Sequence, residues 1–181
     1  MKRTLIAAGC AAVLAIGGGV WVGFGSATAT TAKPSIHGWP SSTVPAATTV
    51  ASVKADAATS GSQVLLLREH PVREVFVDVT ENGFSAGDYF IFESQLRYLQ
   101  GAEVVGRDSV RCTVGPRTFI CDATALLFGK GKVVAYAAIF PHGAVSLAVT
   151  GGTGIYKGVG GQLNVADLRH GDSLLAFEIT R

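Results

Sequence analysis

Two groups of residues in this chain have the type and spacing to do chemistry. The first is Asp78, within Phe76-Val77-Asp78-Val79-Thr80. The segment alternates with period two, so Asp78 shares a face with Phe76, and a core Phe76 carries the carboxylate inward with it. A carboxylate in apolar surroundings has its pKa raised by desolvation unless donors hold it ionised. Such a group can move a proton or stabilise a developing cation. The competing expectation is an aspartate near a strand end that caps the Glu81-Asn82-Gly83 turn.

The second group is Cys112 and Cys121. With Pro116-Arg117 as a hairpin tip, the pairs run Gly115/Thr118, Val114/Phe119, Thr113/Ile120 and Cys112/Cys121. The cysteines then fall at a non-hydrogen-bonded site, where side chains approach closely enough for a bridge. We expect a structural cross-strand disulfide rather than a catalytic thiol. No CxxC or His/Cys cluster supports a metal, so none is expected. His70, His142 and His170 sit beside turn residues, and their spacing gives no Ser-His-Asp arrangement.

A third stretch imitates a phosphate site. Six glycines fall within the eleven residues Gly151 to Gly161, but their spacing fits neither GxxxxGK[ST] nor a GxGxxG that opens a helix. The following Gln162-Leu163-Asn164-Val165 alternates as a strand does. The cluster reads as a tight connection between two strands, using glycine for positive φ and close backbone approach.

The elements that position these residues follow from composition. The chain has 181 residues, 15 basic and 13 acidic, and two of the basic residues are Lys2 and Arg3. Beyond them the charges balance, so nothing advertises nucleic acid. Lys2-Arg3, the apolar run Leu5 to Phe24 and Ala27-Thr28-Ala29 make a signal peptide over residues 1–29, which would remove Cys10. The protein is expected to be secreted, in an oxidising compartment and free of the membrane after cleavage. Residues 30–62 are rich in Ala, Thr, Ser and Pro and read as a disordered linker.

From residue 63 to 181, nearly every segment reads as a strand closed by a turn signal. The strands are Gln63 to Thr80 with a break at His70-Pro71, Asp88 to Leu99, Glu103 to Val114, Thr118 to Phe128, Lys132 to Phe140, Ala144 to Thr150, Gly161 to Leu168 and Asp172 to Thr180. About eight strands joined by short turns predict an all-β, antiparallel, up-and-down β-barrel, with a β-sandwich as the runner-up. Pairing puts Asp108, Val110, Cys112 and Val114 on one face with Phe119, Cys121, Ala123, Ala125 and Leu127. Several are small, which leaves a cavity unless aromatics such as Phe90, Phe92 and Tyr98 fill it. Lys132 to Phe140 is apolar on both faces, as expected of a subunit interface.

The segment from about Asp78 to Thr180 resembles the allene oxide cyclase/dirigent β-barrel superfamily, particularly its secreted bacterial members. The residues that carry the resemblance are Gly87-Asp88-Tyr89-Phe90-Ile91-Phe92, Gly106-Arg107-Asp108, Cys112-Thr113-Val114, and Leu147-Ala148-Val149-Thr150-Gly151-Gly152-Thr153-Gly154-Ile155-Tyr156 with Gly158 and Gly160-Gly161-Gln162. The resemblance implies an eight-stranded barrel, commonly trimeric, whose lumen binds an apolar, reactive small molecule without a metal or organic cofactor. It places Asp78 at a lumen glutamate of the plant cyclases, Thr80 and Ser94 at lumen asparagines, and Cys112 at a lumen cysteine.

Two functions follow as expectations. In one, the lumen isomerises or cyclises its ligand, with Asp78 catalytic and Phe76, Thr80, Phe90, Phe92, Ser94 and Tyr98 around the ligand. In the other, the barrel is a non-catalytic extracellular binding module.

Overall fold

A computed structural model describes residues 29–30, 41–42, 44–81, 83–140 and 142–181. Eight long strands follow in chain order: β1 Gln63–Val77, β2 Tyr89–Tyr98, β3 Val104–Val114, β4 Phe119–Leu127, β5 Gly131–Ile139, β6 Val145–Gly152, β7 Gly160–Asp167 and β8 Ser173–Thr180. Each pairs antiparallel with the next, and β1 pairs with both β2 and β8. The sheet therefore closes on itself without a bare edge. This is the up-and-down barrel that the alternation predicts, and closure excludes the sandwich.

Strand β1 is long enough to serve two neighbours. Leu67 pairs with Leu175 on one side and with Tyr98 on the other. The His70-Pro71 break read from the sequence is a register shift between Pro71 and Arg73 inside one continuous strand. Proline has no N–H to give the ladder, so a bulge is where a strand tolerates it.

The β3–β4 hairpin has the expected register, with Cys112 opposite Cys121 and Val114 opposite Phe119. Their Cα atoms are 4.1 Å apart and the sulfurs are bonded. The glycine cluster links β6 to β7 through one short turn of 3₁₀ helix, Gly154–Tyr156. Gly161, at φ +127°, shows why glycine is needed: a Cβ there would run into the Glu178 carbonyl of β8.

A helix lies within the stretch read from sequence as linker. It is α1, Ala46–Ser60, and it ends at Gly61 in the left-handed conformation, φ 70°. Thr49, Val53 and Ala57, at i, i+4 and i+8, form its buried stripe. Val53 packs with Ala166, Leu174 and Ala176 on the outer face of β7 and β8. Because the stripe consists of small residues among other alanines, threonines and serines, no 3.6-residue hydropathy period stands out. Two short pieces also pair within the 29–62 stretch: Ala29–Thr30 antiparallel with β1, and Ser41–Ser42 parallel with His142–Gly143. The signal peptide, Ala29 apart, lies outside the described residues, within which no helix is long and apolar enough to cross a membrane.

Inside the barrel, the end carrying the β2–β3, β4–β5 and β6–β7 connections is packed solid. Leu67, Leu96, Leu127, Tyr156 and Val159 are all buried there. Each large apolar side chain contributes roughly 1.5–3 kcal/mol by leaving water. The other end, carrying the β1–β2, β3–β4, β5–β6 and β7–β8 connections, is packed only along one side. There Phe76, Phe90 and Phe119 are buried, and Phe84 of the β1–β2 loop caps them with ring centroids 6.1–6.3 Å away.

Candidate functional site

The rest of the lumen is a cavity of ≈ 630 Å³ reaching the mouth between the β1 bulge and the β7–β8 turn. This is the size of a drug-like ligand pocket, roughly 300–1,000 Å³. The space exists because β4 and β5 offer alanines, Ala123, Ala125 and Ala135, where larger side chains would close it. Val110, Leu163 and the Cys112–Cys121 disulfide complete an apolar wall.

Three polar side chains from adjacent strands meet on one side of this wall. Glu69 continues the inward face of Leu65 and Leu67 on β1, Ser94 follows Phe90 and Phe92 on β2, and Asp108 precedes Val110 on β3. Ser94 stands opposite Asp108 in the β2–β3 ladder. Its hydroxyl donates to Glu69 Oε1 at 2.9 Å. Asp108 is only 7 % exposed, and neither of its oxygens has a hydrogen-bond partner among the described residues.

Burial pushes the Asp108 carboxyl up to about 8, and the neighbouring Glu69 charge adds to the shift. Glu69 is raised as well, chiefly by burial, against the hydrogen bond from Ser94. Near neutral pH the pair therefore holds a proton between two acids. A protonated and an ionised carboxyl facing one apolar space form an acid and a base within reach of the same ligand.

A second polar cluster stands at the mouth. His70 Nδ1 lies 2.7 Å from Asp172 Oδ1, and Arg68 Nε lies 3.8 Å from Asp172 Oδ2. His70 and His170 both line the opening. Among the described residues, no group of three or more His, Cys, Asp or Glu could hold a metal ion.

The residues singled out from sequence divide into three sets. Phe92, Ser94, Cys112 and Cys121 line the cavity. Phe76 and Phe90 are buried beside it, in a tilted ring pair with centroids 4.9 Å apart, and do not line it. Asp78, Thr80 and Tyr98 lie away from it, and for these three the structure corrects the lumen placement. β1 ends at Val77, so the alternation does not reach Asp78; its Oδ2 instead accepts from Gly83 N at 2.7 Å and caps the β1–β2 turn. Thr80 is exposed, with its hydroxyl 3.1 Å from that of Ser85. Tyr98 is 38 % exposed because a register shift between Leu96 and Arg97 ends the inward alternation of β2; its hydroxyl receives Lys130 Nζ at 2.6 Å.

Sequence reasoning missed the Glu69–Asp108 pair, although half of it was visible. The hairpin register placed Asp108 inward among Val110, Cys112 and Val114, and a lone acid in such a row is the signal. Glu69 was hidden by its position, since a residue before His-Pro reads as a strand end although β1 continues through the bulge.

The barrel has counterparts in fold among solved structures. A pyocyanin demethylase superposes with a TM-score of 0.56 at 26 % identity, over 65 % of this chain and 100 % of that one. A pterocarpan synthase dirigent protein matches with a TM-score of 0.50 at 16 % identity, over 65 % and 92 %. A nonspecific heme-binding cyclase of a [4 + 2] cycloaddition matches at 0.52 and 15 %, over 75 % and 78 %. The chain has the dirigent-like barrel fold. No protein-family model and no curated protein matches it. In this dirigent-like barrel the resemblance read from sequence holds for the fold, while the polar side chains that line the lumen include Glu69, Ser94 and Asp108 but neither Asp78 nor Thr80.

Proposed function

We propose that this chain is a secreted β-barrel protein that binds an apolar small molecule in its lumen and isomerises or cyclises it by acid–base chemistry, without a cofactor. The observation that carries this reading is the pair formed by buried Asp108 and half-buried Glu69, facing an apolar cavity of ≈ 630 Å³. The ionised member of the pair removes a proton from the ligand or stabilises positive charge on it, and the protonated member returns a proton elsewhere on the ligand. The rigid wall of β3, β4 and β5 restricts ligand conformation, which favours cyclisation over open-chain products. That a demethylase and a cyclase share the fold supports catalysis in such a lumen. The disulfide supports secretion, because it requires an oxidising compartment.

The assembly we propose is a homotrimer joined through the outer face of β4 and β5. Ile120, Val134, Tyr136 and Phe140 are all exposed there, whereas α1 already covers the outer face of β7 and β8. Native mass spectrometry of secreted protein purified without detergent tests the reading. A retained small molecule that is converted to a product of equal mass, and is left unconverted by Glu69→Gln, is the expected result. A retained molecule unchanged after prolonged incubation would make the barrel a binding module, and protein that never carries a ligand would remove the lumen as a site.

A further inference from the structure

The charges around the cavity point to a narrower class of ligand, on the reading that the lumen is the binding site. The ionisable residues lining it are Glu69, Glu74, Asp108, Asp167, His70 and His170. Among the described residues no lysine or arginine lines it. Arg68, next to Glu69 along β1, turns away: it donates to the Gly101 carbonyl at 3.4 Å and approaches Asp172. Asp108 is 7 % exposed and neither of its oxygens has a hydrogen-bond partner among the described residues, while Ser94 donates to Glu69 Oε1 at 2.9 Å. Buried acceptors without donors are costly, and a buried acid pair without a counter-charge is more so. Nothing on the apolar wall formed by Val110, Ala123, Ala125 and the disulfide can supply either.

We infer that the lumen takes an apolar ring compound bearing a protonated amine, whose N–H groups dock between Asp108 and Glu69. An ammonium supplies three donors and the missing charge, whereas a hydroxyl supplies one donor and no charge. A carboxylate ligand would add a third acid to the cluster and is excluded.

The pairing changes the proton count. In the free protein Asp108 holds a proton up to about pH 8, through burial and the charge of Glu69. An ammonium takes the place of that proton, so binding near neutral pH releases it. Affinity for the amine then rises with pH until Asp108 is ionised in the free protein, and falls only when the amine itself loses its proton. The ionisable groups that face the pair are His70, Glu74, Asp167 and His170 around the cavity, and the charge of Asp172 acts on Glu69.

Calorimetry on the full chain with three probes of one shape tests the inference: 2-naphthylmethylamine, 2-naphthylmethanol and 2-naphthoate. At about pH 8 the amine should bind at least about 10-fold more tightly than the alcohol, and naphthoate most weakly. The amine's preference should shrink by up to about 10-fold per pH unit on going down to about pH 6, and parallel titrations in phosphate and Tris should show about one proton released near pH 7. Asp108→Asn should bring the amine's preference over the alcohol below about twofold, with Glu69→Gln as the second variant should the first not fold. An alcohol or carboxylate that binds as well as the amine overturns the inference and leaves the lumen as a binding site. If none of the three binds, the lumen reading falls with it.

Discussion

Ser94 stands directly across the ladder from Asp108 yet gives its hydroxyl to Glu69, 2.9 Å away on the other neighbouring strand. One donor is thus divided unequally between the buried Asp108 and the half-buried Glu69. The favoured one, Glu69, is better placed to ionise, and Asp108 keeps the proton. Two acids with different proton affinities on one wall are what a ligand needs if it is to lose a proton at one place and regain it at another.

The pair also makes stability depend on pH. Asp108 is raised from 3.8 to about 8, so the folded chain holds a proton that the unfolded chain releases. Its contribution is fully present below about pH 4 and is lost as pH rises towards 8. Asp108→Asn removes this loss, so the variant and the parent should melt within about 1 °C of each other near pH 4, whereas the variant should melt ~3–6 °C higher near pH 8.5. Scanning calorimetry across that range checks the expectation. Parallel Tm curves for the two proteins would show that Asp108 titrates normally.

The glycine-rich connection yields a contrast between two positions close in sequence. Gly158 has φ +73° with open space where a Cβ would go, so Gly158→Ala should cost only the ~1–2 kcal/mol of a left-handed residue. Gly161 has φ +127° with the Glu178 carbonyl of β8 in the way, so β7 would have to leave β8 to admit an alanine. Gly161→Ala should therefore cost more than about 3 kcal/mol. Urea unfolding of both variants compares them, and equal losses would contradict the close-approach argument.

The fold was legible because its determinants are local. Alternation and turn residues located all eight strands, and the Cys112–Cys121 spacing set the β3–β4 register. What escaped depends on tertiary context. The helix α1 has little pattern of its own and is defined by the small residues Ala166 and Ala176, over a hundred positions away, on which Val53 rests. Asp78 shows the limit of extrapolating alternation: one residue past the last ladder pair, the same aspartate serves a turn. Glu69 shows the reverse, because a bulge lets the strand run on where Pro71 signals a stop.

The outer surface of β4 and β5 separates an assembled barrel from a lone one. Phe140 is 66 % exposed and Tyr136 45 %, with Ile120 and Val134 beside them, and Ile120 pairs with Ala138 across the ladder. Strands of a freestanding barrel alternate apolar-in with polar-out, whereas β5 is apolar on both faces from Val133 to Ile139 and β4 adds Ile120 and Leu126 to the outer one. A specific interface buries about 1,200 Å² or more, which needs several such side chains joined into one patch. Tyr136 sits at the centre of this patch, opposite Asp122 on β4 and Ala148 on β6. Tyr136→Glu would place two acids face to face inside the contact, while leaving the lumen side of β5 untouched. Light scattering at micromolar concentration should give a trimer mass for the parent and a monomer mass for Tyr136→Glu, with the β-sheet circular dichroism of the two unchanged. A parent that is itself monomeric would mean that this face is not the seat of self-assembly.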